Sequence, residues 1–152
     1  MIGYATLGTN DIGKAQAFYD DLFGSIGAKR IMEFAEPNGF TMYGSAFDKP
    51  AVAVTKPYDG GAATVGNGNM VAIPFERRDQ VDAFYNRAIE LGGSDEGAPG
   101  LRGDEGPQAF YGAYFRYLDG NKLCAFRVGP APHLGVSRPK KPNRPCGTPR
   151  AT

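Results

Sequence analysis

The chain has 152 residues, 41% of them hydrophobic, and a formal net charge of +1. That is enough apolar material for one compact domain or a fused pair of small modules, and it excludes wholesale disorder. Arg138, Lys140, Lys141, Arg144 and Arg150 fall in 129–152 with no acid. The remainder is therefore mildly acidic, which excludes the basic face of a nucleic-acid-binding domain.

Residues 2–8 are short and β-compatible and end at Thr9-Asn10. Asn10 or Asp11 is placed to cap a helix, since a short side-chain acceptor satisfies the free N–H groups of a first turn. Ile12, Ala15, Phe18, Tyr19, Leu22, Phe23 and Ile26 then recur at three- and four-residue intervals, one apolar stripe of an amphipathic helix with Gly24 and Gly27 as stop signals. Strands are predicted over 29–35, 39–46 and 50–56, with Pro37-Asn38-Gly39 as a turn between the first two.

A glycine-rich link, 57–69, separates this unit from the next. A strand is predicted at 70–75 and a helix at about 77–91, with Val81, Phe84, Tyr85, Ala88 and Ile89 inward and Gly92-Gly93 at its end. A short strand near 94–97 leads into an acidic, glycine-rich loop, 97–107, a candidate lid. Strands 109–117 and 121–128 meet across Leu118-Asp119-Gly120-Asn121, a strong hairpin signal. The tail, 129–152, holds six prolines and reads as flexible.

No stretch approaches the roughly 20 apolar residues that span a bilayer, and the N-terminus lacks the basic flank and long apolar run of a secretory signal. The only cysteines are Cys124 and Cys146, which fits a reducing, cytoplasmic setting without a disulfide framework.

The two units are one pattern repeated 66 positions on without a gap: Tyr4-Ala5-Thr6-Leu7 aligns with Met70-Val71-Ala72-Ile73, and Ala17-Phe18-Tyr19 with Ala83-Phe84-Tyr85. The expectation is an α+β fold of two tandem βαβββ modules, 1–56 and 70–128, forming curved mixed sheets around a shared cleft.

Leu7-Gly8-Thr9-Asn10-Asp11-Ile12 running into Ala17-Phe18-Tyr19, the link Ala63-Thr64-Val65-Gly66-Asn67-Gly68, and Asp119-Gly120-Asn121-Lys122-Leu123 carry a resemblance. In this order and spacing they resemble the vicinal oxygen chelate superfamily of glyoxalases, bleomycin and fosfomycin resistance proteins and extradiol dioxygenases. Tyr117 and Leu118 replace the first Asp and the Pro of that family's final Asp-Pro-Asp-Gly-Asn turn. The resemblance covers about 1–128. It implies a small-molecule ligand in the cleft and a homodimer. In metal-dependent members, a His on the first strand and a Glu on the fourth strand of each module hold one divalent ion. Here those positions fall on Tyr4, Met70, Cys124 and either Val52 or Ala53.

A phenol, a thioether, a thiol and an aliphatic side chain do not make an open divalent site, and the one histidine, His133, lies in the tail. No cofactor is therefore expected. The candidate cleft-lining residues are Tyr4, Met70, Tyr114, Arg116, Cys124, Tyr43 and Glu33. Tyr4 offers a hydroxyl to orient a ligand, or only a packed ring. Arg116 suits a bidentate carboxylate or phosphate, or a surface acid. Cys124 is a nucleophile if a cation such as Lys122 lowers its pKa, and otherwise an inert buried thiol. Along 109–117, Phe110, Gly112, Tyr114 and Arg116 share one face and Tyr111, Ala113, Phe115 and Tyr117 the other, with the inward face undecided.

Three functions remain open on sequence. The first is a metal-free binder of a small aromatic or amphipathic molecule. The second is a lyase, isomerase or dioxygenase-type enzyme using an atypical metal site or Tyr/Glu/Arg acid–base chemistry. The third is a pair of modules that only mediates assembly.

Overall fold

The structure, a computed structural model, describes residues 1–131. The tail beyond, with His133 and Cys146, lies outside the described residues, and so does most of the segment expected to be flexible.

The first unit runs β1 (Tyr4–Gly8), α1 (Ile12–Gly24), β2 (Lys29–Phe34), β3 (Phe40–Gly44) and β4 (Ala51–Thr55). The second repeats it with β5 (Val71–Pro74), α2 (Arg78–Glu90), β6 (Ser94–Leu101), β7 (Phe110–Arg116) and β8 (Lys122–Val128). Each unit is a mixed four-stranded sheet, ordered β1-β4-β3-β2 and β5-β8-β7-β6, in which the first strand runs parallel to the fourth and the other pairs are antiparallel. The α+β architecture is the one expected.

One stretch differs. Residues 97–101 were expected in a loop, and instead continue β6 along the sheet edge, with register breaks between Asp95 and Gly97 and between Gly97 and Gly100. An edge strand needs a partner on one side only, so Pro99 and the glycines cost it little.

Asp11, not Asn10, caps α1: its carboxylate accepts from the Lys14 N–H at 3.0 Å. Asn10 is used elsewhere, donating to the Ala63 carbonyl at 3.2 Å and accepting from the Ala63 N–H at 2.7 Å, which ties the link to module one. Helix α2 lacks a short polar cap; Gln80 accepts from the Arg77 N–H at 3.0 Å instead. Asp79 in its first turn and Arg87 in its last complement the helix dipole.

The core lies on the helix side of both sheets. Phe18, Tyr19, Leu22 and Phe23 of α1 and Val81, Phe84 and Ala88 of α2 are buried together with Leu7, Val54, Phe115 and Leu123 in one continuous cluster. Aromatic contacts cross between the modules: Phe23 to Phe84 at 6.4 Å, and Phe18 to Tyr117 at 4.9 Å. Ser25 and Ile26, at the end of α1, share a cavity wall with Gln80 and Ala83 near the start of α2, so the helices run antiparallel.

Asp21 of α1 forms a two-pronged ion pair with Arg87 of α2, at 2.7 and 2.6 Å, and the two positions are 66 apart. Between antiparallel helices, positions equivalent in a repeat meet only near a two-fold axis. The pair therefore marks the local axis relating the modules.

The hairpin turn of module two is clasped by module one. Asp119 accepts from the Thr9 hydroxyl at 2.5 Å and from the Asn10 backbone and side-chain N–H groups at 3.3 Å each, while Asn121 donates to the Gly8 carbonyl at 2.7 Å. Gly120 holds the turn at φ +93°, a conformation that L side chains rarely adopt, and a Cβ there would sit 3.0 Å from Val65.

Candidate functional site

Strand alternation sets what each sheet shows to solvent. In module one, Leu7, Val52, Val54, Thr41 and Tyr43 turn toward α1, and the opposite, open face carries Tyr4, Thr6 and Gly8 of β1, Met32 and Phe34 of β2, and Phe40 and Met42 of β3. The chain after β4 folds back along this face. With Lys56, Tyr58, Asp59 and Ala62–Thr64 it completes a groove of about 1000 Å³. The rings of Tyr4 and Phe34 stand 5.9 and 6.1 Å from Phe40, and Tyr4, Phe34 and Tyr58 are all exposed. The walls are aromatic and thioether, and Glu36, Lys56 and Asp59 supply the charge at the margin. Rigid aromatic faces beside adaptable methionines suit an aromatic or amphipathic guest.

The sequence led us to expect a cleft between the modules; beside the cavities at that seam, the structure builds this groove from module one and the link. Two smaller cavities lie at the seam. One, of about 300 Å³, shares Thr6, Gly8 and Thr64 with the groove and extends it to Met70, Asn121 and Lys122 of module two. The other, of about 710 Å³, lies between Ala5, Gly44 and Val52 on one side and Met70–Pro74 on the other.

Register resolves the choice between Val52 and Ala53. Thr6 pairs with Ala53 as Ala72, its repeat equivalent, pairs with Cys124, so Ala53 matches Cys124 on the open face. Val52 lies opposite Ala5 and Tyr43, toward the helix. The four positions that the resemblance assigns to a metal thus become Tyr4, Ala53, Met70 and Cys124. The donor set does not fit: a methyl group offers no ligand, a thioether is a poor one for a hard divalent ion, and Cys124 is fully buried. Burial pushes the Cys124 thiol up, against opposing pulls from Arg102, Tyr114 and Lys122. Met70 precedes β5, is half exposed, and lines both seam cavities rather than the groove. Among the described residues, no three His, Cys, Asp or Glu side chains come together as a metal site.

In module two, Tyr111, Ala113, Phe115 and Tyr117 face α2 and the core, leaving Phe110, Gly112, Tyr114 and Arg116 on the open side. Arg116 is engaged by its own chain, donating to Glu96 at 2.6 Å and to the Gly120 carbonyl at 2.7 Å. Lys122 stands 3.6 Å from the same Glu96, which is held below the usual carboxylate range first by the Arg116 hydrogen bond. Two cations stand over Tyr114, whose ring centroid is 5.3 Å from both Arg102 and Lys122.

Two sequence candidates do not belong to the open face. Tyr43 is buried against α1 and donates its hydroxyl to Asp20 at 2.9 Å, with only its edge reaching the larger seam cavity. Burial first, and then the Asp20 bond, raise the Tyr43 phenol well above its ordinary value, which removes it from acid–base work near neutrality. Glu33 lies on the same side, accepting from Arg30 at 2.9 Å. A bulge between Arg30 and Met32 fixes the facing of β2, and nothing in the local sequence announces it. Sequence reasoning missed Met32, Phe34, Phe40 and Met42, whose signal was the period-two alternation of apolar residues along β2 and β3, and Tyr58, which lies in the link. It missed Arg102 as well, which sits in the segment read as loop.

No family model matches the chain, and no curated protein matches it. Solved structures do. A glyoxalase/bleomycin resistance protein from Albidiferax ferrireducens T118 is 32% identical, with a TM-score of 0.70 over 84% of this chain and 98% of its own. A glyoxalase-related enzyme from Fulvimarina pelagi is 19% identical, with a TM-score of 0.62 over 84% of this chain and 87% of its own. A glyoxalase/bleomycin resistance protein/dioxygenase family enzyme from Burkholderia phytofirmans PsJN is also 19% identical, with a TM-score of 0.63 over 83% and 97%. The last two share the fold.

Proposed function

The chain belongs to the glyoxalase/bleomycin resistance protein family, and from that premise we propose that it binds a small aromatic or amphipathic molecule on the open face of module one, without a catalytic metal. The observation that carries this reading is the groove of about 1000 Å³ walled by Tyr4, Met32, Phe34, Phe40, Met42 and Tyr58. A concave wall of this chemistry captures an apolar ring by burial and stacking, at about 25 cal/mol per Å² of apolar surface removed from water. The groups that would speak for chemistry instead are committed elsewhere: Arg116 to Glu96, Tyr43 to Asp20, and the Cys124 thiol to the interior.

The test is the neutral fluorophore N-phenyl-1-naphthylamine, titrated with the native protein and with Thr6→Trp. Thr6 is exposed on the groove floor, so an indole there fills the groove without entering the core. Saturable binding that Thr6→Trp abolishes supports the reading, and binding indifferent to Thr6→Trp sinks it. Native mass spectrometry of protein prepared without chelator addresses the metal: a stoichiometric divalent ion would overturn the metal-free part.

A further inference from the structure

The open faces of the two modules carry different chemistry. Module one presents rings and thioethers. Module two presents Arg102, Arg116 and Lys122 around Tyr114, with Glu96 as the acid among them. Glu96 is mostly taken by Arg116 at 2.6 Å, and its contact with Lys122 is a longer 3.6 Å. Arg102 is held in place by the Ala98 carbonyl at 2.8 Å, and among the described residues no carboxylate pairs with it. An ammonium has three donors and a guanidinium five, so both cations keep donors free.

This cationic patch is continuous with the groove. The seam cavity lined by Lys122 and Asn121 is also lined by Thr6, Gly8 and Thr64, which belong to the groove. Lys122 thus lines the seam cavity that meets the groove and also stands over Tyr114, as Arg102 does.

Resting on the groove reading above, we propose that Arg102 and Lys122, both over Tyr114, form an oxyanion subsite, and that the ligand is an aromatic or amphipathic acid. Its ring or tail lies on module one, and its carboxylate or phosphate is held at module two. A charge-assisted contact of this kind is among the stronger polar interactions, while a neutral ligand gains nothing from it.

The experiment compares 8-anilinonaphthalene-1-sulfonate with N-phenyl-1-naphthylamine, two probes of similar aromatic area that differ in the anionic group. The native protein is expected to bind the sulfonate about tenfold tighter, with an affinity that falls as salt rises and a neutral-probe affinity that does not. Arg102→Gln/Lys122→Gln is expected to bring the sulfonate to the level of the neutral probe and leave the latter unchanged. Both side chains reach the surface, and the salt titration needs no substitution. Displacement of the sulfonate by 1-naphthoate or 1-naphthyl phosphate, with naphthalene ineffective, supports the subsite, and the stronger competitor identifies the head group. Equal affinities for the two probes, or a sulfonate affinity indifferent to the double substitution, overturn the subsite while leaving the groove reading intact. Failure of both probes to bind overturns both.

Discussion

Cys124, which the resemblance sets at a metal-ligand position, has no exposed surface, and burial raises its thiol pKa. Since the thiolate is the reactive form, the residue is doubly protected. In a Cys146→Ser background, where only Cys124 can report, the native protein should react with a thiol reagent at pH 8 at least about a hundredfold more slowly than the unfolded chain. Fast reaction of the folded protein would contradict the burial. Asp20 is the converse case. The Arg30 hydrogen bond, opposed by some desolvation and aided by Tyr43, lowers its carboxyl below the ordinary 3.8. A depressed folded-state pKa gives stability that is present above the unfolded value and is lost as pH falls through the folded one. Asp20→Asn should therefore cost about 1 kcal/mol at pH 7, a modest figure because the pair is part-exposed, with the deficit shrinking below about pH 4. Urea titrations at pH 7 and pH 3 check both. At this scale the sequence told less than at any other. It put Tyr4 in the cleft only through the resemblance and left the facing of Tyr114 undecided, while the facing of Glu33 depends on a bulge in β2 and that of Tyr43 on the register of β3. Val52 and Ala53 were separable only by strand register.

At the scale of elements, the helices were legible because a stripe recurring every three or four residues matches the turn of an α-helix and not the two-residue alternation of a strand. Strand β6 was not: Ser94-Asp95-Glu96-Gly97-Ala98-Pro99-Gly100-Leu101 has the composition of a loop, and it is a strand because β7 offers it an edge. Local propensity is outvoted there by tertiary pairing. The β7–β8 turn shows the opposite outcome. The sequence marked Asp119-Gly120-Asn121 as a turn, and the structure adds a use for its polar atoms in clasping Thr9, Asn10 and Gly8. Asp119→Ala should destabilise the protein by about 1–2 kcal/mol, and Thr9→Val by a similar amount. The double variant should lose clearly less than the sum, since both remove the same contact. Full additivity in denaturant melts would show that the clasp carries no coupling.

For the whole molecule, the uninterrupted 66-residue offset was the most dependable guide, because two copies of one pattern must solve the same packing problem. It pointed to the tandem βαβββ order, and the core that both modules share is a finding of the structure. It could not say that the link would fold over one module and give it the larger groove, since that asymmetry comes from residues outside the repeat. A homodimer is the assembly we propose for this family member. Light scattering behind size exclusion should return twice the 16.2 kDa chain mass, and a concentration-independent monomer would refute it.

The ion pair on the local two-fold axis bears on why the modules share a chain. Were the two halves identical, as in a dimer of half-length chains, this point would set aspartate against aspartate or arginine against arginine. Covalent joining lets equivalent positions carry opposite charges, so repulsion at the centre of symmetry becomes attraction. Arg87→Asp recreates the symmetric, repelling arrangement and should lower the melting temperature, and adding Asp21→Arg should recover much of the loss. The tandem is thus a device for breaking symmetry where symmetry would be most costly.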